Sequence, residues 1–226
     1  MEPTPLPVLD AMAGRHSLRR FLPTPVPRAT LEAILATAAR APSGKNSQPW
    51  HVHVVTGAAR ERVSQAVLAA AREGRVVAEY EYFPEPTPEP YLARGRAVGY
   101  ELYRLYGIER SDRAARARAM LRNFEFFGAP VGLFFSMERR LRYGSWLDLG
   151  MFMQNVMLAA RAFGLETCPQ QAWCEFGDTV HAALGIGAER VVASGMSLGV
   201  ADPDAPENQL RSEREPLAGF VTFADA

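Results

Sequence analysis

Apolar positions between Leu31 and Ala41 fall at Leu31, Ile34, Leu35 and Ala38, the spacing of a helix buried along one face. Thr30 stands where an N-cap belongs and Pro42 ends the run. HVHVVTG, His51 to Gly57, alternates instead and stops at a glycine, which predicts a strand. Helical spacing returns from Arg60 to Arg72. EYEYFPEPTPEPY, Glu79 to Tyr91, then carries four prolines that no regular helix or central strand accommodates. A long Arg-rich helical stretch is predicted from about Leu92 to Phe126, followed by an apolar strand in APVGLFFSM, Ala129 to Met137.

The strongest helix of the chain is SWLDLGMFMQNVMLAARAFG, Ser145 to Gly164. Ser145 suits its N-cap, Asp148 the acid of a capping box, and Gly164 the position just past its end. Trp146, Met151, Phe152, Val156, Met157 and Phe163 make it apolar almost all round, so it needs cover on every side. A chain of 226 residues can hardly supply that cover alone, which predicts that part of this helix faces a second subunit. RVVASGMSLGVA, Arg190 to Ala201, reads as another strand, and FVTF at the C-terminal end as an isolated strand-like tail. GIGAER, Gly185 to Arg190, begins like a dinucleotide fingerprint but lacks the third glycine and reads as a helix end and turn. Helices and strands alternate without a regular βαβ beat. The fold class expected is α+β, helices around a modest mixed or antiparallel sheet, in one domain over 1–226 with an excursion at about 79–122.

Composition narrows the function classes. Lys+Arg and Asp+Glu balance at 25 each, which argues against a nucleic-acid or membrane-surface protein. No stretch has the apolar length of a membrane span, and the N-terminal residues MEPTPLPVLDAMAG lack the pattern of a signal peptide. Cys168 and Cys174, with five residues between them, have neither zinc nor redox-pair spacing, and a reducing cytoplasm is the expected setting. The four His are scattered and make no metal motif. No nucleophile elbow or P-loop is present, and no side chain stands out as general base. An enzyme built this way leaves its chemistry to a cofactor.

Two clusters suit an anionic group. In RHSLRRF, Arg15, Ser17 and Arg19 alternate along an extended segment and can point one way. In LRSEREPL, Arg211 and Arg214 share a face if the segment is helical. Solvated basic patches with surface ion pairs are the plain alternative for both. A third feature is the loop APSGKNSQPW, Ala41 to Trp50, which has more short polar side chains than a simple turn needs.

Together these residues resemble a known family. RHSLRRF, then LEAILATAARAPSGKNSQPWHVHVV, is similar to the N-terminal signature of the FMN-dependent nitroreductase family. LDLGMFMQNVMLAARAFGLETCPQ resembles its central dimer helix and the following turn, and GVADPDAPENQLRSEREPLAGFVTF its closing segment. The resemblance covers nearly the whole chain in the right order. It implies an intertwined homodimer with two FMN sites at the subunit interface. Carried over, Arg15, His16, Ser17 and Arg19 would hold the FMN phosphate and ribityl chain, with Arg214 closing on the phosphate and Arg211 beside it. Pro42, Ser43, Gly44 and Asn46 would reach the flavin from the other subunit. Pro169 and Gln170 would lie in a turn near the reactive edge, where CPQQAW departs from the Glu-Gly pair of better-known members, so a backbone N–H is the expected donor there.

The resemblance further implies a ping-pong exchange. Hydride passes from NADH or NADPH to the flavin and then to an electron-poor acceptor in the same pocket. No side chain is the catalytic group. Tyr80, Tyr82, Phe83 and Tyr91 of the excursion would wall that pocket or pack the excursion against the body. The helical segments are most similar to the nitrobenzoate-reductase branch, which implies a nitroaromatic carboxylate met by Arg94 or Arg96. Other acceptors on the same scaffold, quinones or halogenated phenols, remain open, as does a flavin-binding dimer without enzymatic activity.

Overall fold

The structure, a computed structural model, describes residues 6–224; the first residues of the Pro-rich N-terminal stretch lie outside the described residues. In chain order the regular elements are α1 (Val8–Gly14), α2 (Arg28–Ala38), β1 (His51–Thr56), α3 (Gly57–Arg72), α4 (Tyr91–Leu105), α5 (Arg113–Leu121), β2 (Val131–Glu138), α6 (Tyr143–Ala162), β3 (Glu166–Gln170), α7 (Gly177–Leu184) and β4 (Arg190–Gly199). The strands form one sheet in the order β1-β2-β4-β3, with every pairing antiparallel. This matches the α+β expectation and resolves the sheet as antiparallel.

The two central strands are buried on both faces, so they read as apolar runs rather than alternations. One face packs on α2 and α6 through Leu133, Phe135, Met137, Met196 and Leu198. The other carries a cluster of Phe126, Phe134, Trp173, Phe176 and Val192 beneath α3 and α7. Phe126 and Phe134 flank Trp173 with ring centroids 4.5 and 5.0 Å away. Glycine is required twice here: a Cβ at Gly132 would collide with the ring of Phe126, and one at Gly195 with the ring of Trp173. A bulge places Val192 opposite Ser136 and Ser194 opposite Phe135, leaving Ala193 as the extra residue. The parity of β4 changes there, which is why Val191 and Ala193 share a core face with Met196 and Leu198.

Several local expectations change. The predicted Leu92–Phe126 helix is two helices, because Gly107 takes a positive φ of 65° and Asp112 starts α5 by accepting from Ala115 N at 2.8 Å. Residues 122–128 then form a 3-10 segment in which Phe126 and Phe127 both have positive φ. Thr30 is not a cap; α2 begins after Pro27, and Thr30 is buried in its first turn. Nor does Ser145 cap α6, which starts two residues earlier, while Asp148 serves a different backbone segment. Gly164 does sit just past the helix end, at φ 69°. The C-terminal FVTF is not a strand, and Arg211 to Arg214 are not helical. Residues 166–170, expected as a turn, form β3.

Candidate functional site

The segment after α1 runs extended beside β3. Buried Leu18 donates its N–H to Thr167 O at 3.2 Å, which fixes the register of that run. Asn208, buried in the turn Pro206–Gln209, accepts at Oδ1 from the backbone N–H of Arg19 at 2.8 Å and of Arg20 at 3.2 Å. Its amide donates to Arg20 O and Asp202 O at 2.8 and 2.9 Å. The His16 ring lies between Gly14 O at 3.0 Å and Asn208 O at 3.1 Å. With the backbone held this way, Arg15, Ser17 and Arg19 are half-buried rather than free in solvent.

Positive charge accumulates around Arg15. Burial lowers the pKa of its guanidinium, and the neighbouring Arg214 charge lowers it further, against an opposing pull from Glu166. Arg161, in the last turn of α6, pairs with Glu166 at 2.9 Å. Burial raises the pKa of the Glu166 carboxyl, and Arg161, Arg15 and Arg211 pull it back. Burial also depresses the His16 imidazole, and Arg211 and Arg161 add to that. Four arginines thus act on one patch with Glu166 as the acid among them. Arg214 has its Nη1 turned onto Ser212 O and Oγ at 2.9 and 2.7 Å. Arg122 buttresses the patch from behind, donating to Arg19 O and to buried Glu207, both at 3.0 Å.

The loop Pro42–Gln48 stands elsewhere. Lys45, Asn46 and Gln48 all take positive φ, a strained backbone for non-glycine residues. The loop is held at both ends. Asp148 accepts from the Gly44 N–H at 3.2 Å, and Trp50 stacks on Phe152 with ring centroids 4.7 Å apart. Between these anchors Pro42, Gly44 and Asn46 are exposed, with Ser43 partly so. Asp148 and Arg161 are thirteen residues apart on α6, about 20 Å along its axis. The structure therefore gathers Arg15, His16, Ser17, Arg19, Arg211 and Arg214, and leaves Pro42, Ser43, Gly44 and Asn46 at the far end of the same helix.

Pro169 and Gln170 lie on β3, one residue along from Cys168, whose thiol meets Ser17. Pro169 is partly open. The Gln170 side chain is buried and committed, donating to Asn123 O at 2.7 Å and accepting from Ser197 Oγ at 2.6 Å. Its backbone stands opposite Gly195 in the β3–β4 ladder, and Pro169 has no N–H to offer. In the excursion, Tyr80 packs the strap to the body: its hydroxyl donates to Ala193 O at 2.6 Å and its ring meets Trp146 edge-on. Tyr82 and Phe83 meet edge to face and remain exposed. Tyr80, Tyr82, Trp146, Met153 and Gln171 line a cavity of about 470 Å³. Arg94 is not free to meet a carboxylate, because Glu215 of the C-terminal tail already pairs with it. Arg96 is exposed.

This chain resembles known proteins over most of its length. The family model described as the nitroreductase family matches residues 12–200. The chain belongs to the nitroreductase family. It is 43% identical over 217 residues, 95% of each chain, to the chloronitrobenzene nitroreductase of Comamonas testosteroni. It is 40% identical to the 4-nitrobenzoate reductase of Pseudomonas putida, covering 94% of this chain and 93% of that one. The crystal structure of the FMN and NADPH-dependent nitroreductase NfnB from Sphigopyxis sp. strain HMH superposes with a TM-score of 0.96 at 39% identity, covering 98% of this chain and all of that one. The nitroreductase fold expected from the motifs is thus the fold present.

Three residues that hold these clusters in place carry no recognisable signal of their own. Asn208 sits in a polar, Pro-rich run that reads as a loop. Arg161 looks like an ordinary basic residue in a last helical turn. Asp148 mimics a capping acid, and only tertiary structure shows that it holds Gly44 instead.

Proposed function

We propose that this protein is an FMN-dependent oxidoreductase that passes hydride from NAD(P)H to a nitroaromatic acceptor by a ping-pong mechanism. We place it in the cytoplasm, as a homodimer of one domain spanning 1–226 whose excursion at about 79–122 forms a lid. The observation that carries the reading is the surplus of guanidinium groups around Arg15. The Arg15 guanidinium makes no hydrogen bond among the described residues, its charge is disfavoured by burial and by Arg214, and a phosphate would relieve both.

The residues present fit a flavin mononucleotide. Arg15, Arg19 and Arg214 would hold its phosphate, with Arg211 at the rim, while His16 and Ser17 would face the ribityl chain. FMN, when bound, supplies the chemistry of accepting and donating hydride. The protein's part is position and field. Arg161 keeps Glu166 from cancelling the patch, and Asn208 fixes the Arg19 backbone.

The gap between the two clusters supports the dimer. Leu147 and Met151 are 71% and 40% exposed on one face of α6, and Val8, Leu9 and Met12 of the adjoining α1 are also bare. A second copy lying antiparallel across α6 would cover this surface. It would also bring the Pro42–Gln48 loop of one protomer to the arginine patch of the other, closing a separation that one chain cannot close. No helix among the described residues is long and apolar enough to cross a membrane.

A nitroaromatic ring fits the aromatic cavity between Tyr80, Tyr82 and Trp146. For a nitrobenzoate-like acceptor, Arg96 is the one of the two expected arginines, Arg94 and Arg96, left to meet the carboxylate. The test is a visible spectrum of the purified protein taken anaerobically as NADPH and then 4-nitrobenzoate are added. Loss of the oxidised-flavin band and its return with the nitro compound is the expected result. Bleaching without return would move the acceptor to quinones or halogenated phenols, and no flavin band after adding FMN would overturn the assignment of the Arg15 patch.

A further inference from the structure

The lid has a cavity of its own, which shares no lining residue with the aromatic cavity at Tyr80. It lies where α4 turns into α5, holds about 330 Å³, and is lined by Tyr100, Tyr103, Arg104, Ile108, Arg110 and Arg116 together with Gly107 and Glu109. Arg104 is neutralised by Glu101 at 2.6 Å. Arg110 and Arg116 have no carboxylate partner among the described residues. The Arg110 guanidinium lies 4.8 Å from the centroid of Tyr100 and donates to its hydroxyl at 3.1 Å. Arg116 lies 5.9 Å from the centroid of Tyr103, and its Nε is buried without a hydrogen-bond partner.

Arg110 and Arg116 line the cavity without a carboxylate partner, and an anion bound there would supply one. Two unpaired guanidinium forks over two phenol rings are the chemistry of a flat ring bearing a phosphate. The cavity volume stands at the lower end of those that take small ligands. Its place in the fold matters as well. One turn from Tyr103, the ring of Tyr106 lies 5.3 Å from the Arg122 guanidinium, and Arg122 donates to Arg19 O. The cavity is therefore on the same side of the molecule as the proposed phosphate cradle, apart from the aromatic cavity proposed for the acceptor.

We propose that this lid cavity binds the adenosine 2′-phosphate end of NADPH, with Arg110 and Arg116 on the phosphate and Tyr100 and Tyr103 against the adenine. The assignment rests on the oxidoreductase reading above and gives it a coenzyme preference, NADPH over NADH.

The experiment titrates the FMN-loaded protein with 2′,5′-ADP and with 5′-AMP by calorimetry, for the parent, Arg110→Ala, Arg116→Ala and Arg110→Lys. Loss of one charged fork to phosphate is expected to weaken 2′,5′-ADP about 10- to 100-fold and leave 5′-AMP unchanged. Arg110→Lys should keep part of the binding, because charge remains while the fork is lost. In turnover the KM for NADPH should rise in the alanine variants while that for NADH and the kcat hold. Equal binding of 2′,5′-ADP and 5′-AMP by the parent would overturn the proposal, as would alanine variants that bind 2′,5′-ADP like the parent. Displacement of neither nucleotide but of 4-nitrobenzoate from this cavity would overturn it in favour of an acceptor subsite. Because the titration needs no turnover, a protein that no nicotinamide reduces would refute the oxidoreductase reading while the nucleotide comparison still decides the lid.

Discussion

Arg15 is half-buried, repelled by Arg214 and balanced only in part by Glu166, so an incoming phosphate gains more from it than from a solvated arginine. Arg15→Ala is expected to weaken FMN by about 10- to 100-fold, measured by quenching of flavin fluorescence. Arg211, exposed and turned toward the backbone oxygens of Asn208 and Leu210, should matter less. His16 gives a separate prediction on the flavin-free protein. Its folded pKa lies below its ordinary value of about 6.5, chiefly through burial, so the unfolded chain binds more protons than the folded one as pH falls through that value. The stability it contributes is complete above about 6.5 and is lost as pH drops toward the folded pKa. His51 and His53 shift the same way and act in the same window. Thermal melts from pH 7.5 down to 5.5 should show a falling Tm, with a smaller fall in His16→Asn. An equal slope in the two proteins would remove His16 as a source.

At the scale of elements, α6 holds both candidate clusters with opposite ends. Asp148 near its start holds the strained loop through Gly44, and Arg161 in its last turn holds Glu166. Asp148→Ala removes the acceptor for a backbone N–H in a segment with three positive-φ non-glycine residues, so the loop should relax. A loss of about 1–3 kcal/mol in FMN affinity is expected, with the Arg15 patch intact. Inorganic phosphate binding that stays unchanged while FMN weakens would separate the loop from the cradle. The same element shows what the sequence makes legible. Its length and its Gly164 terminus follow from spacing and from one residue type, and so do β1, β2 and β4. Its start does not, because Ser145 and Asp148 spell a cap while tertiary contacts give Asp148 another task. β3 is likewise hidden: Glu166 to Gln170 contains a proline and neither alternates nor runs apolar, and its pairing with β4 makes it a strand. In the site, the Arg15 segment and the Pro42 loop are legible as motifs. The Gln170 and Arg94 side chains are not, since burial and a partner from the distant tail decide what they can touch.

For the whole molecule, the decisive quantity is the apolar surface left over after the sheet has been covered. Leu147 and Met151 of α6 and Val8, Leu9 and Met12 of α1 are exposed, and Leu217, Phe220 and Phe223 are bare along the C-terminal tail. Burying one such large side chain contributes about 1.5–3 kcal/mol, and in a two-fold interface each residue counts twice. In the proposed dimer, a substitution that puts charge on these α6 positions would act on both protomers at once. Leu147→Glu with Met151→Glu leaves the monomer core untouched, since both side chains point away from it. The expected outcome is a folded monomer by light scattering that has lost FMN at least tenfold, because the exposed loop of one chain no longer reaches the arginine patch of the other. The two losses should appear together in a dilution series of the parent protein, with flavin release following dissociation. Flavin retained by a monomeric variant would mean that one chain closes its own site, and the 20 Å between Asp148 and Arg161 along α6 would then be spanned by the ligand alone.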